Sequence, residues 1–211
     1  MSARVVVFDL GGVVVRVCRT WAEACARAGV EVRAPERFAE FELRERRSSL
    51  SDRYQSGAIA CAEYFAGISA ATDGLYTPEE VERVHRAWVM EDYPGMEAVI
   101  TSLNDAGIVT ACLSNTNRSH WEGLLGVSPA CAAIARPLVS HELGAVKPEE
   151  RIYRLAEERL GAAPGELVFF DDLEPNVSAA RRYGWAAERI DHDSDTASQV
   201  RGHLEALGMY A

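Results

Sequence analysis

The sequence lacks a long apolar segment, and it lacks an excess of basic residues. No apolar run approaches the roughly 20 residues that a transmembrane helix needs, so we expect no membrane partner. Acidic residues outnumber basic ones, 32 to 22, and give a formal net charge of −10. Because a phosphate backbone attracts a basic surface, this charge argues against a nucleic-acid partner. A small phosphorylated substrate remains compatible, since it needs only a few cations within a pocket.

Cysteine is scarce as well, and its pattern is not that of a disulfide scaffold or a zinc site. The number of cysteines is odd and no Cys-x-x-Cys pair occurs; they are Cys18, Cys25, Cys61, Cys112 and Cys131. Such residues are typical of small core side chains in a reducing compartment. The first residues also lead directly into a strand-like segment, without the pattern of a signal peptide. We therefore expect a cytoplasmic protein, and the sequence does not predict its oligomeric state.

The composition is that of a globular α/β protein. Apolar residues make up 48% and charged residues 26%, the usual balance of a folded domain. Helical periodicity between apolar segments indicates that strand and helix alternate from about Pro94 onward. The expected strands are apolar on both faces, as a parallel sheet covered by helices requires; they are residues 5–8, 108–113, 137–140 and 167–170.

The stretch between the first strand and Pro94 has a different pattern, in which only helical signals occur. One of its helices is predicted to begin at Thr77, where a capping box is followed by proline at the first helical position. We therefore predict a core domain of residues 1–16 and 93–211, and a helical insertion of residues 17–92.

Three features of the sequence, two of them in this insertion, have more than one reading. His85 lies on an apolar helix face, and the sequence leaves open whether it packs among the helices or faces a pocket. A short basic run formed by Arg44, Arg46 and Arg47 is expected to face solvent rather than to hold a substrate. His120 could likewise border a site or simply begin a helix.

Polar residues follow the predicted strands at the edge where an open parallel sheet binds ligands. Asp9 follows the first strand, and Gly11 and Gly12 then allow the backbone to turn sharply and approach a ligand. The other groups expected at this edge are Ser114 and Asn115, Asp171 and Asp172, and Lys147 in a turn after the weak third strand. Three acids, a hydroxyl, an amide and a lysine would therefore converge on one site.

These groups suit phosphoryl chemistry. Adjacent carboxylates such as Asp171 and Asp172 repel each other unless a cation or donors hold them. Together with Asp9 they would form an all-oxygen site suited to Mg²⁺. A carboxylate can attack phosphorus to give an aspartyl-phosphate, while the ammonium, the hydroxyl and the amide neutralise and hold the phosphoryl oxygens.

Four stretches, in this order, resemble the motifs of the haloacid dehalogenase (HAD) superfamily, whose members are mostly Mg²⁺-dependent aspartyl phosphatases. The resemblance implies a Rossmann-like three-layer core with a helical C1 cap inserted after the first strand. It implies that Asp9 is the nucleophile, that Ser114 holds the phosphate and that Lys147 neutralises it. The stretches are residues 5–12 (VVVFDLGG), 113–118 (LSNTNR), 147–153 (KPEERIY) and 169–172 (FFDD).

The same resemblance assigns the metal site and reveals one departure. Asp9, Asp171, Asp172 and the carbonyl of Gly11 would bind Mg²⁺, and Gly12 would contact the phosphate. Most HAD phosphatases carry a second Asp, a general acid and base, where this chain has Gly11. The residues of these motifs are similar to those of the bacterial α-D-glucose 1-phosphate phosphatase branch, which also has glycine at the position of Gly11. We therefore expect a small phosphorylated substrate, a sugar phosphate, and a preference for leaving groups that depart without a proton.

Two other functions are open. A 2-haloacid dehalogenase of the same superfamily would use Asp9 on carbon and also lacks the second Asp, but it needs no metal and no acidic pair. A catalytically silent HAD fold that binds a phosphorylated metabolite is favoured only by Gly11. The pair of Asp171 and Asp172 favours the phosphatase.

Overall fold

The computed structural model describes residues 4–38 and 41–209. Within them the fold is the expected α/β fold, built around a five-stranded parallel sheet of order β5-β4-β1-β6-β7. The strands are β1 (Val5–Phe8), β2 (Val15–Val17), β3 (Val89–Asp92), β4 (Val109–Ser114), β5 (Arg136–Val139), β6 (Leu167–Asp171) and β7 (Ala186–Arg189).

The helices lie between these strands. They are α1 (Trp21–Ala28), α2 (Pro35–Phe38), α3 (Phe41–Gln55), α4 (Cys61–Ala71) and α5 (Pro78–Arg86), all between β2 and β3; then α6 (Met96–Asp105), α7 (Arg118–Leu125), α8 (Pro129–Ala133), α9 (Ser140–Leu143), α10 (Glu150–Leu160), α11 (Glu174–Arg182) and α12 (Thr196–Ala206), with a 3₁₀ turn at Pro164–Glu166. None of the helices among the described residues is both long and apolar enough to span a membrane.

The sheet is buried on both faces, as its sequence predicts. Alternate residues of β1 enter different cores, with Val6 and Phe8 packed on one side and Val5 and Val7 on the other. Each core is closed by its own helices, so the sheet is the middle of three layers. One strand, β7, escaped prediction because its sequence, Ala-Ala-Glu-Arg, is neither continuous nor alternating in hydrophobicity, as befits a short edge strand.

The chain leaves and returns to the sheet through a second, two-stranded sheet. β2 and β3 pair antiparallel, with Val15 opposite Asp92 and Val17 opposite Val89. The expectation of helical structure alone up to residue 92 is therefore wrong for β3, because its residues pair with positions 72 to 77 earlier in the chain and not with a local partner. The predicted domain boundaries fall at this ribbon, and the division into two domains stays a prediction.

The helices between β2 and β3, residues 21–86 as far as described, form the helical segment. Their shared core includes Cys25, Phe65, Ile68 and Tyr76. The predicted capping box at Thr77 is confirmed, with both reciprocal hydrogen bonds present. This segment packs over the carboxyl-terminal edge of the sheet, because its residues share one pocket with those that follow β1 and β4.

Candidate active site

The predicted acidic residues meet at the carboxyl-terminal edge of two neighbouring strands, β1 and β6. Asp9 follows β1, and its amide donates to the carbonyl of Phe170, 2.8 Å away, in β6. Asp171 ends β6 and Asp172 follows it. Ligand oxygens of Asp9, Asp171 and Asp172 lie within 4.8 Å of one another, and all three residues are buried. Register of the parallel strands therefore brings together acids that are more than 160 positions apart in the sequence.

Lys147 is placed between two of these acids. Its Nζ donates to Oδ2 of Asp171 at 2.7 Å and lies 3.0 Å from Oδ1 of Asp9. Burial by itself favours the neutral amine, but the carboxylates of Asp171 and Asp9 outweigh it and raise the pKa of Lys147. The ammonium is thus a fixed positive charge between Asp9 and Asp171.

The chain uses lysine only here: Lys147 is its single lysine, while the remaining 21 of the 22 basic residues are arginine. An ammonium is a compact charge with three donors, whereas a guanidinium is broad and planar. The space between two buried carboxylates suits the smaller group. The local geometry thus gives a physical reason for lysine at this one position.

Asn115 holds the backbone of Lys147 in place. Its side-chain oxygen accepts from the Lys147 amide at 2.7 Å, and its side-chain nitrogen donates to the Lys147 carbonyl at 2.9 Å. Both polar atoms of the Asn115 amide are therefore engaged, and this side chain positions the lysine. The amide nitrogen keeps a second N–H, so the contact between the Asn115 side chain and a phosphate that the sequence predicts stays a prediction.

The two acids after β6 have different surroundings. The carboxylate of Asp171 accepts from the amide of Leu173 at 2.8 Å and from Asn176 Nδ2 at 3.0 and 3.1 Å, besides Lys147. Burial raises the pKa of Asp171, although Lys147 opposes the shift. Asp172 instead lines the pocket, and burial together with the nearby Asp9 raises its pKa. Of the two acids, Asp171 is therefore enclosed by donors of the chain, whereas Asp172 lines the pocket.

Arg19 was missed by the sequence reasoning. Its guanidinium donates to Oδ2 of Asp172 at 2.8 Å, and 38% of its side chain is exposed. His192 reaches the same oxygen, with Nδ1 3.4 Å away. No local pattern marks Arg19, because the contact joins positions 153 apart in the chain.

The two glycines after Asp9 give room to the acids. Gly12 has a φ of +87°, and a Cβ at this position would lie 2.5 Å from Oδ2 of Asp172. Its amide donates to the carbonyl of Val15 at 2.8 Å, so the predicted contact with phosphate stays a prediction. Gly11 lines the pocket, and a Cβ there would meet Val17 at 3.3 Å.

The donor set fits a hard divalent cation. Three carboxylates face two basic groups, Lys147 and Arg19, which leaves the cluster with excess negative charge. Oδ1 of Asp9 is buried and accepts no aligned hydrogen bond from the described residues. Oxygen-only ligands with such an unused lone pair are what Mg²⁺ prefers.

A pocket of about 450 Å³ opens above these groups, within the usual range for small ligands. Asp9, Ser114, Lys147 and Asp172 line its sheet side. The helical segment lines the opposite side, which we call the pocket wall; it includes Trp21, Tyr54, Tyr64, Ile68, Val81, His85 and Trp88. The sequence reasoning named only His85 among these wall residues.

His85 both packs and faces the pocket, so both readings of the sequence hold. It stacks on His120 with ring centroids 3.8 Å apart. Asn117 lies between them: its Oδ1 is 3.3 Å from His85 Nε2, and its Nδ2 is 3.2 Å from His120 Nδ1. His120 Nε2 lies 2.7 Å from the carbonyl of His85. With the amide in this orientation both rings are satisfied as neutral imidazoles.

The charge state of this pair follows from its surroundings. Burial, with the neighbouring ring, lowers the pKa of His85 well below its usual value, and burial lowers the pKa of His120 to about 4.

Arg47 also lines the pocket and is half-buried, so the expectation that it faces solvent is wrong. The side chains of Arg44 and Arg46 lie outside the described residues.

Sequence comparison with known proteins identifies relatives of two activities. The chain is 29% identical to a (S)-2-haloacid dehalogenase of Burkholderia cepacia, over 49% of this chain and 45% of the relative. It is 26% identical to a phosphatase of Mycobacterium tuberculosis, over 64% of this chain and 63% of the relative. The chain thus matches about half to two thirds of the length of these relatives.

Comparison with solved structures shows a similar fold over a larger part of the chain. A HAD family enzyme of Bacteroides thetaiotaomicron superposes with a TM-score of 0.80 at 20% identity, over 95% of this chain and all of that one. That enzyme has also been crystallised with magnesium and inorganic phosphate. At this identity the likeness concerns the fold.

The family itself is shown by a broader match. Residues 3–184 match the family model of the haloacid dehalogenase-like hydrolases. This range includes both the strands with their acids and the helical segment. The chain is a haloacid dehalogenase-like hydrolase.

Proposed function

We propose that this hydrolase is a Mg²⁺-dependent phosphatase that acts on a small phosphorylated metabolite through an aspartyl-phosphate on Asp9. The observation that carries the proposal is the cluster of Asp9, Asp171 and Asp172 beside Lys147. A reaction at carbon needs no divalent cation, and three buried acids would then only hinder an anionic substrate. The resemblance to the glucose 1-phosphate phosphatase branch supports a sugar phosphate as one candidate substrate.

The metal would be held by Asp9, Asp172 and the carbonyl of Gly11. When bound, Mg²⁺ supplies positive charge to the phosphoryl oxygens and fixes their orientation. The surroundings of Asp171 support an indirect role, since its carboxylate already accepts from Lys147, Asn176 and the amide of Leu173.

Asp9 would then act as the nucleophile. One of its oxygens forms a bond to phosphorus while the bond from phosphorus to the leaving oxygen breaks, and the leaving group departs with that electron pair. Water next attacks the phosphorus of the aspartyl-phosphate, which releases phosphate and restores Asp9. The ammonium of Lys147 and the hydroxyl of Ser114 stabilise the phosphoryl oxygens, and Asn115 keeps the lysine in position.

Gly11 restricts the range of leaving groups that the site can release from a phosphorylated substrate. A residue with an acidic side chain at this position would protonate the leaving oxygen, which typically contributes about 10²- to 10⁴-fold in rate. Gly11 supplies no proton, so a leaving group that is stable as an anion is favoured. The substrate would lie between the sheet edge and the helical segment, whose closure would exclude water.

The dehalogenase remains the second candidate, favoured by Gly11 and by the similarity to haloacid dehalogenases. It would place a halogenated carbon at Asp9 and release halide without a metal. A silent binding protein is the third reading.

A cytoplasmic location is supported by the cysteines, all five of which are free thiols in the structure.

The test is phosphate release with and without Mg²⁺ from a panel that contains glucose 1-phosphate, glucose 6-phosphate and acetyl phosphate. Asp9→Asn should abolish release, by at least about 10⁴-fold, because an amide is not a nucleophile here. The matched control is Asp105→Asn, an exposed acid at the end of α6 on the opposite edge of the sheet.

The outcomes separate the three candidates. Release that needs Mg²⁺ and is lost in Asp9→Asn, but kept in Asp105→Asn, would establish the phosphatase. Halide release from 2-haloacids without a metal would establish the dehalogenase instead. No turnover of either substrate class would favour the silent binding protein.

A further inference from the structure

The pocket wall has a chemistry that differs from that of a sugar-binding site. Aromatic rings dominate it, with Tyr54 and Tyr64 stacked at a centroid distance of 4.3 Å and Trp21 and Trp88 beside them. Ile68 adds an aliphatic surface. These groups offer a ligand ring faces and apolar edges.

The hydroxyl groups of the wall are directed at neighbours within the helical segment. The Tyr54 hydroxyl donates to Sγ of Cys61 at 3.0 Å, and burial raises its pKa, which keeps it a neutral phenol. The Tyr64 hydroxyl pairs with Oγ of Ser51 at 3.4 Å. The phenol proton of Tyr54 is therefore engaged, so this hydroxyl can only accept a hydrogen bond from a ligand.

The imidazole of His85 in the wall is also engaged, with residues at the start of α7. His85 and His120 share Asn117, and the second ring nitrogen of His120 reaches the carbonyl of His85. Other polar side chains that line this side of the pocket include Arg47, Ser51 and Gln55. These are few partners for the several hydroxyls of a sugar.

A sugar would therefore lose water at several hydroxyl groups and regain few hydrogen bonds, which opposes binding. An aromatic ring has the reverse balance. It gains from burial against Tyr64 and Trp88, and it demands no partner for polar atoms.

The chemistry at Gly11 points in the same direction. A benzoate or phenolate is stabilised as an anion by its conjugated ring or carbonyl, so it can depart without a proton donor. We propose that the natural substrate is an acyl or aryl phosphate whose leaving group carries an aromatic ring held by the pocket wall. This inference rests on the proposed phosphatase function and names the substrate class of the same site.

The step balances without any further reactant except water. Asp9 forms its bond to phosphorus, the phosphorus–oxygen bond to the aromatic leaving group breaks, and the group leaves as carboxylate or phenolate. Water then cleaves the aspartyl-phosphate to phosphate and regenerated Asp9, as in the proposed function.

The test compares benzoyl phosphate with acetyl phosphate. Both release a carboxylate of similar basicity, so the ring is the main difference between them. We expect kcat/KM to be about 10- to 100-fold higher for benzoyl phosphate, the factor that corresponds to burying one aromatic side chain. Glucose 1-phosphate is the sugar arm, and the Asp9→Asn protein corrects for spontaneous hydrolysis.

A matched pair of variants ties the preference to the wall. Tyr64→Ala removes a ring and should reduce the ratio of the two kcat/KM values by about 3- to 10-fold, as one aromatic contact would. Tyr64→Phe keeps the ring, loses the contact with Ser51 and should retain the ratio. Thermal unfolding of both variants confirms that each is folded under the assay conditions.

Each result either supports or overturns the proposal of an aromatic leaving group. A benzoyl-to-acetyl ratio above 10 that falls in Tyr64→Ala but not in Tyr64→Phe supports the aromatic substrate. A ratio near one, or faster turnover of glucose 1-phosphate than of benzoyl phosphate, overturns this inference and leaves the phosphatase intact. Enzymatic release from none of the three phosphates overturns the proposed function, and this inference with it.

Discussion

The two sides of the pocket are built on opposite principles. On the sheet side, charged groups are buried and held in place by one another, as Lys147 is between Asp9 and Asp171. On the wall side, titratable groups are also buried, but His85 and His120 are kept neutral. One side preserves charge and the other suppresses it.

This difference separates reaction from recognition. The hydrogen bonds of the sheet fix the backbone at the strand ends. Side chains there can therefore hold like charges at the distances that phosphoryl transfer needs. Helices that pack through aromatic side chains, such as Tyr54 and Tyr64, can change a pocket's shape without moving the acids. In the proposed function, the sheet side would account for the reaction class and the wall for the choice of substrate.

The largest expected effect comes from the sheet side. Lys147→Met should lower phosphate release by about 10²- to 10³-fold, because the phosphoryl oxygens lose a fixed positive charge. Without Mg²⁺ it should also reduce the free energy of unfolding by about 3 kcal/mol, since two buried carboxylates lose their shared cation. Denaturant unfolding and the phosphate assay measure the two effects.

Lys147→Arg is the matched control for charge. It keeps the positive charge but replaces a compact ammonium by a broad guanidinium. We expect it to recover part of the stability and little of the activity. Full activity in Lys147→Arg would contradict the argument that position 147 needs an ammonium.

A smaller effect is expected at Gly11. Its φ is not positive and the added Cβ would meet Val17 at 3.3 Å, so Gly11→Asp should fold. Supplying the missing acid should accelerate poor leaving groups, such as that of glucose 6-phosphate, by about 10- to 100-fold and change acyl phosphates little.

Gly11→Asn controls for the size of the new side chain, because it cannot transfer a proton. Steady-state rates of both variants on both substrates are the measurement. Equal slowing of every substrate by Gly11→Asp would contradict the proposed reason for the preference among leaving groups.

The smallest expected effect concerns stability on the wall side. Folded His85 and His120 bind protons less readily than unfolded histidine, so below a pH of about 6.5 the unfolded state takes up more protons. The free energy of unfolding should therefore fall by about 2 kcal/mol between pH 7 and pH 5 through His120 alone, and His85 acts in the same direction.

His120→Gln should weaken that pH dependence, and His203→Gln on α12 is the matched control. Asp171 and Asp172 have raised pKa values and act in the opposite direction, so the informative quantity is the difference between variant and wild type. Identical pH dependence of His120→Gln and the wild type would show that the neutral pair does not contribute.

Much of the sheet side was predictable from sequence. The strands before Asp9 and Asp171 are short apolar runs with turns behind them, a local pattern that the sheet requires. What could not be predicted there was the division of labour. Which acid faces the pocket, and that Asn115 serves Lys147, depends on hydrogen bonds between distant positions.

The wall was hardly predictable. Tyr54, Tyr64 and Trp88 have the spacing of ordinary core residues, and nothing local separates a ring that packs inward from one that faces a ligand. The same holds for Arg19, whose partner lies 153 positions away.

The sequence by itself determined four of the five strands of the central sheet, the chemical groups at their ends and the absence of an acid at Gly11. These follow from local hydrophobic pattern and from residue identity, which neighbouring positions carry. Tertiary structure alone decided that Asp172 faces the pocket, that His85 and His120 share Asn117, and that the wall is aromatic. Those features arise from packing between segments far apart in the chain, where burial and hydrogen-bond geometry, rather than local pattern, select which atoms meet.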